Sequence, residues 1–107
     1  MQIIMRQKIR SYIGFAIKSG NIIFGADTVI VNRKKAHLIL MTDTINRTAN
    51  KKVTSYAERL AIPKITITDN LMEECVDRIN CKCIAILDKN LANAVKNSLI
   101  DGGATNE

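Results

Sequence analysis

Apolar positions along the chain switch repeatedly between a helical spacing and short unbroken or alternating runs. In residues 5–19, Ile9, Tyr12/Ile13, Ala16 and Ile17 recur at three- and four-residue intervals, one stripe of an amphipathic helix. Arg6, Lys8, Arg10 and Lys18 lie mostly off that stripe, and Lys18 falls in the last turn, where a cation suits the helix dipole. Gly14 sits mid-helix, where a missing side chain lets another element pack closely. Gly20 ends the helix, a brief strand follows at 21–24, and Gly25 opens a second helix over 26–34. Thr28, Val29, Ile30 and Val31 are weak helix formers, so burial has to hold that helix. Residues 36–41 form a nearly unbroken apolar run, as expected of a central strand covered on both faces. Thr42-Asp43-Thr44 ends it and supplies a cap for a helix over 46–61, with Val53, Tyr56, Ala57 and Leu60 buried.

Pro63 stops this helix, and Ile65 and Ile67 then alternate with Thr66 and Thr68 as a short strand. Asp69 is the expected cap of a fourth helix, with Met72, Cys75, Val76 and Ile79 on one face and Asn80 at its end. Residues 81–87 read as a strand, and Asn90 as the cap of a last helix carrying Leu91, Ala94/Val95 and Ser98/Leu99. Alternating helices and strands predict an α/β fold: a three-layer α/β/α sandwich around a four-stranded sheet. We expect a mixed sheet, with mostly parallel strands and the short 21–24 strand the one to pair antiparallel. Residues 1–100 read as a single domain. Residues 101–107 contain Gly102-Gly103 and no apolar residue larger than alanine, and so read as a flexible tail.

Charge sharpens the picture. The chain of 107 residues carries a net charge of +6. Residues 1–64 hold twelve Lys/Arg against Asp27, Asp43 and Glu58, whereas residues 65–107 hold four against seven acids. A basic half on a small domain fits a polyanion, nucleic acid first; a merely solubilising surface is the plainer alternative. Three cysteines, an odd number, read as reduced thiols of an intracellular protein. No secretory leader or bilayer-spanning stretch is recognisable, so the expected location is cytoplasmic.

The turn from Ser19 to Thr28 is the candidate site. A helix that starts directly after a strand leaves backbone N–H groups unpaired, and these attract phosphate. Other chemistries fit less well. Gly20 and Gly25 have the separation of a nucleotide-binding P-loop, but Ala26-Asp27 stands where Lys-Ser/Thr is required. Cys75, Cys81 and Cys83 lack the spacing of a structural zinc site, so no metal and no cofactor is expected. His37 opens a predicted core strand and is better read as a satisfied core histidine than as a general base. Asp43 and Asp88 follow strands, where capping accounts for them. No nucleophile–base pair is visible, and an enzyme is not expected. Of Tyr12, Phe15, Phe24 and Tyr56, three fall on apolar stripes or in the turn, which argues against an aromatic platform for single-stranded nucleic acid.

Residues 13–25, Ile-Gly-Phe-Ala-Ile-Lys-Ser-Gly-Asn-Ile-Ile-Phe-Gly, resemble the opening of the L7Ae/L30e ribosomal protein family. The likeness is closest to its small bacterial branch, which opens with an L-G-L-A-x-K-A-G-type run and a second glycine five residues on. Lys35-Ala36, the apolar run, Asp43, Asn46-Arg47-Thr48 and Lys51-Lys52 resemble that branch's second signature. The resemblance covers roughly residues 5–100. It implies an α/β/α sandwich that binds RNA in the translation apparatus. The typical target is a kink-turn, gripped by the turn at the start of the second helix and by a loop before the last strand.

Carried over by residue, Gly25 matches the turn glycine, and the family's Asn-Glu pair falls on Asp27 and Thr28. The family's following lysine falls on Val31, leaving Lys18, Arg33 and Lys34 as the cations available to compensate. The second contact lacks the family's glycines at Met72 and Val76, with Arg78 and Lys82 the nearby cations. The expected RNA-contacting set is therefore Lys18, Asn21, Gly25, Ala26, Asp27, Thr28, Arg33, Lys34, Lys51, Arg78 and Lys82. The rival reading, motivated by Asp27, Val31 and the acidic fourth helix, is a protein-interaction module on the same fold, with a ribosome-linked or regulatory partner.

Overall fold

In the computed structural model, which describes residues 3–101, the chain runs α1 (Ile3–Lys18), β1 (Ile22–Phe24), α2 (Ala26–Ile30), β2 (Leu38–Thr42), α3 (Arg47–Leu60), β3 (Lys64–Ile67), α4 (Asp69–Val76), β4 (Cys83–Ile86) and α5 (Lys89–Asp101). The expected tail lies outside the described residues from 102 onward, and Asp101 still belongs to α5.

The sheet order is β1-β4-β2-β3. β2 pairs parallel to β3, while β4 is antiparallel to both β2 and β1, so the sheet is mixed, as expected, but with antiparallel pairs outnumbering the parallel one. The physical reason is where β4 begins. Thr42 donates its N–H to the carbonyl of Lys82 at 2.9 Å, and Asp43 donates to Ile67 at 3.2 Å. The excursion through α4 thus returns to the end of the sheet that it left, and β4 has to enter in the opposite direction to β3.

Alternation along the strands builds the three layers. Leu38 and Leu40 of β2, Ile65 and Ile67 of β3, and Ile84 and Ile86 of β4 face α1, α4 and α5. Ile39 and Met41 of β2, with Cys83 and Ala85 of β4, face α2 and α3 with Val29, Val53, Tyr56 and Ala57. Every residue of β2 is buried, as its unbroken apolar run requires. Each fully buried Leu or Ile here stabilises the fold by about 1.5–3 kcal/mol.

Several element ends differ from the expected ones. α2 stops at Ile30, not at residue 34, because the Asn32 side chain takes over the backbone. Its Oδ1 accepts from Lys34 N at 3.1 Å and its Nδ2 donates to Lys34 O at 2.6 Å, a local turn that competes with helix. The burial of Val29 holds the five residues that remain helical. Asn46, not the Thr42–Thr44 stretch, caps α3 by accepting from Ala49 N at 2.8 Å. Thr68, not Asp69, caps α4; at the start of α5, Asp88 accepts from Leu91 N, which fits its expected capping role, while Asn90 is not the cap. Leu60, expected in the core, is 51% exposed at the end of α3. α4 ends at a left-handed Asp77, which turns Ile79 out to 81% exposure instead of onto the buried face. At Gly14 a side chain would meet nothing within 4 Å, so that glycine does not serve close packing.

Candidate functional site

Three connections meet at one end of the sheet and enclose a groove of about 710 Å³. One wall is the β1–α2 turn, Phe24 to Thr28; a second is Ile45, Asn46, Thr48, Ala49 and Lys52 at the start of α3. The third is the approach to β4, Arg78 to Cys83. The sheet register explains the meeting: Phe24 pairs with Ile84 and Met41 with Cys83, so β1 and β2 end where β4 starts.

Gly25 makes the first wall possible. Its φ of 90° and ψ of 138° belong to a region that side chains of L-residues rarely enter. Its N–H is not open to a ligand, because it donates to the carbonyl of Cys83 at 2.8 Å and staples the turn to β4. That revises the expectation of free amides at this position. α2 is short, and no side chain caps its first turn. Asp27 and Thr28 are both exposed at the groove.

The third wall is fixed at both ends. The Arg78 guanidinium lies over the Phe24 ring, 3.8 Å from its centroid. Lys82 Nζ donates to Asp69 Oδ1 at 3.0 Å and to Thr44 Oγ1 at 2.9 Å. Thr44 Oγ1 in turn lies 2.6 Å from Asp69 Oδ2. These bonds tie the starts of α3, α4 and β4 together. The Thr44 hydroxyl, and after it Lys82, holds the Asp69 carboxyl below the ordinary carboxylate range. Lys82 is thus partly neutralised by its own protein.

Of the expected site residues, Gly25, Ala26, Asp27, Thr28, Arg78 and Lys82 line the groove. Lys51 is exposed on α3 next to the lining residue Lys52. Lys18, Asn21, Arg33 and Lys34 lie at the opposite end of the sheet, since Asn21 O accepts from Leu87 N and His37 N donates to Ile86 O. Phe24 lines the groove as part of the expected turn, whereas Asn46, Lys52, Ile79 and Asn80 line it without having been among the expected contacts. Asn46 and Lys52 belong to the second signature, whereas helical spacing places Ile79 on a buried helix face and hides it.

Cys81 is half-buried at the groove, its Sγ 3.7 Å from the carbonyl of Cys83. Burial pushes all three thiols up, Cys75 to about 11 and Cys83 to about 12. Among the described residues no group of three or more His, Cys, Asp or Glu is placed to hold a metal ion, and no helix is long and apolar enough to cross a membrane. His37 is half-buried at the start of β2.

The model of the ribosomal protein L7Ae/L30e/S12e/Gadd45 family matches residues 7–96 of the chain. Among solved structures, a protein of unknown function from Bacillus halodurans is similar with a TM-score of 0.77, over 87% of this chain and 97% of that one. The two are 14% identical, so this likeness concerns the fold alone. Comparison with curated proteins found no match.

Proposed function

Because the chain belongs to the ribosomal protein L7Ae/L30e/S12e/Gadd45 family, we propose that its groove beside Gly25 is the RNA-binding site of a non-enzymatic protein. The observation that carries this reading is the groove's make-up. It is concave, built on rigid element ends, and lined by Lys52, Arg78, Lys82, Asn46, Thr28 and backbone. Cations position a phosphate chain, while Asn and Thr offer hydrogen bonds to base edges. Ile79 stands exposed among them, an apolar surface against which an unpaired base can lie. A straight duplex presents neither an unpaired base nor a convex corner to fill such a groove. The substrate class is therefore bent or kinked RNA, with a kink-turn as the specific form and the ribosome as its setting. A place in the family's small bacterial branch belongs to the same proposal.

A gel-shift titration tests it, with a kinked RNA and a straight duplex of equal length at moderate salt. Tighter binding to the kinked RNA is expected. Equal affinity for both would remove the kink-specific reading, and no binding to either would remove RNA altogether. A protein-interaction module is the second reading, favoured by Asp27 at the groove and by the pairing of Lys82 with Asp69. Absence of RNA binding together with recovery of a defined ribosomal or regulatory partner would establish it instead.

A further inference from the structure

The end of the sheet away from the groove gathers cations from three separate stretches. Leu87 N donates to Asn21 O at 2.9 Å, and His37 N donates to Ile86 O at 2.9 Å. Residues 18–21, 33–37 and 87–89 therefore meet there. They carry Lys18, Arg33, Lys34, Lys35 and Lys89, all exposed, against the carboxylate of Asp88, and the end of α3, brought to the same end by the bond from Ile39 N to Pro63 O, adds exposed Glu58 and Arg59. Asp88 is already engaged, with its Oδ1 accepting from Leu91 N at 2.9 Å. Among the described residues none of these five cations is in an ion pair; Arg6–Glu74 and Lys82–Asp69 lie elsewhere.

Local needs of the fold account for only part of this. Lys18 suits the end of α1. α2 has ended by Ile30, so its dipole gives no reason for Arg33, Lys34 and Lys35 in succession. Those three sit on a backbone pinned by the Asn32 side chain, and so are presented from a fixed turn. Like charges crowded with few counter-charges oppose folding, and a polyanion outside the chain relieves them.

We propose that this end is a second RNA-contact surface, which holds a phosphate backbone without reading sequence, so that one molecule bridges two RNA segments. The surface lies outside the groove; its bridging role rests on the groove's proposed RNA binding, whereas its own contact with duplex does not. The surface offers cations from three stretches, the chemistry of backbone contact rather than base readout. Val31 is exposed two residues before Arg33, and Phe15 and Leu60 are exposed near the ends of α1 and α3, but the five exposed cations outnumber them, and charge favours a polyanion as the occupant. The five residues of β2 separate the two ends by about 16 Å. That exceeds the screening length of about 8 Å at physiological salt, so the two ends act independently.

The test uses the full chain, a kinked hairpin fixed to a support, and a labelled short straight duplex, at about 150 mM salt. The wild-type protein is expected to sit on the hairpin and capture the duplex. Lys34→Glu/Lys35→Glu should keep hairpin affinity and weaken duplex capture about tenfold or more, with the salt slope for duplex shallower by about 0.9 for each phosphate no longer neutralised. Lys34→Arg/Lys35→Arg should retain capture. Arg78→Glu should do the reverse of the lysine reversal, weakening the hairpin and leaving direct duplex binding intact. If the groove does not select kinked RNA, direct duplex titration still reports on this surface through the lysine variants alone. Equal weakening of hairpin and duplex by the lysine reversal, no change in either, or capture of anionic vesicles but not duplex would each overturn the proposal.

Discussion

Arg78 stacks its guanidinium on the ring of Phe24, 3.8 Å from the centroid, and so joins two walls of the groove. Phe24 ends β1 and leads into Gly25, whereas Arg78 lies in the connection between α4 and β4. Arg78 is exposed and Phe24 half-buried, and a cation–π contact of that kind is worth about 0.5–1 kcal/mol. A double-mutant cycle of Arg78→Ala and Phe24→Leu, read by chemical denaturation, should return a coupling energy in that range. Arg78→Lys should recover little of it, because an ammonium does not stack as a planar guanidinium does. Coupling near zero would mean that the loop is held by Lys82 alone.

Gly25 and Gly14 should respond oppositely to alanine. At Gly25 an added Cβ meets nothing nearer than Thr28 Oγ1 at 4.0 Å, so space is not the problem. The φ of 90° is, and holding alanine there should cost about 1–3 kcal/mol. Gly14 is in the interior of α1 with open space where its Cβ would go, and Gly14→Ala should stabilise by about 0.5–1 kcal/mol. Urea unfolding of the two variants checks the signs. A stable Gly25→Ala protein would mean that the β1–α2 turn relaxes without effort, and the groove would then lack a fixed first wall.

The Thr44–Asp69–Lys82 cluster makes the groove acid-sensitive. The folded-state pKa of Asp69 lies below its ordinary value, so the carboxylate contributes stability that is present above about pH 4. That contribution is lost as pH falls through the folded-state value. The thermal midpoint of wild type should exceed that of Asp69→Asn near neutrality, with the gap closing in acid. A gap independent of pH would show that the charge on Asp69 is not what holds the three loops.

Much of this architecture was legible in the chain. The unbroken run ending in Met41 marked a strand covered on both faces, and the stripe of Ile9, Ile13 and Ala16 marked the buried side of α1. The mixed sheet was legible in the brevity of the 21–24 strand, but the reversal of β4 against β2 was not, because it depends on where the α4 excursion returns, and backbone bonds from Thr42 and Asp43 decide that. Ile79 was misplaced because helical spacing continues through it, while the left-handed Asp77 that ends α4 carries no strong sequence signal. The candidate site was half legible. Gly25 announced the turn, but the division of the cations between two ends of the sheet follows from register, which periodicity does not encode.

The cysteines give a last prediction, since one lies half-buried at the groove and two are deeper. Cys75 and Cys83 are buried with thiols pushed up to about 11 and about 12, whereas Cys81 is half-buried beside Arg78 and Lys82. The thiolate is the reactive form, so all three should label slowly at neutral pH, and Cys81 first on access alone. Bound RNA should protect Cys81 and leave the slow labelling of the other two unchanged, as read by mass spectrometry of modified peptides. The raised values also set an alkaline limit. A thiol whose folded-state pKa lies above its unfolded one contributes stability that is complete below about pH 8.5 and lost as pH rises toward the folded value. For Cys75 the loss reaches roughly 2–3 kcal/mol by the time the folded thiol titrates. Urea midpoints should therefore fall steadily above about pH 9, and less so in Cys75→Ala measured against its own neutral value. An alkaline arm unchanged by that substitution would assign the loss to other groups, and labelling of Cys81 unaffected by RNA would place the ligand outside the groove.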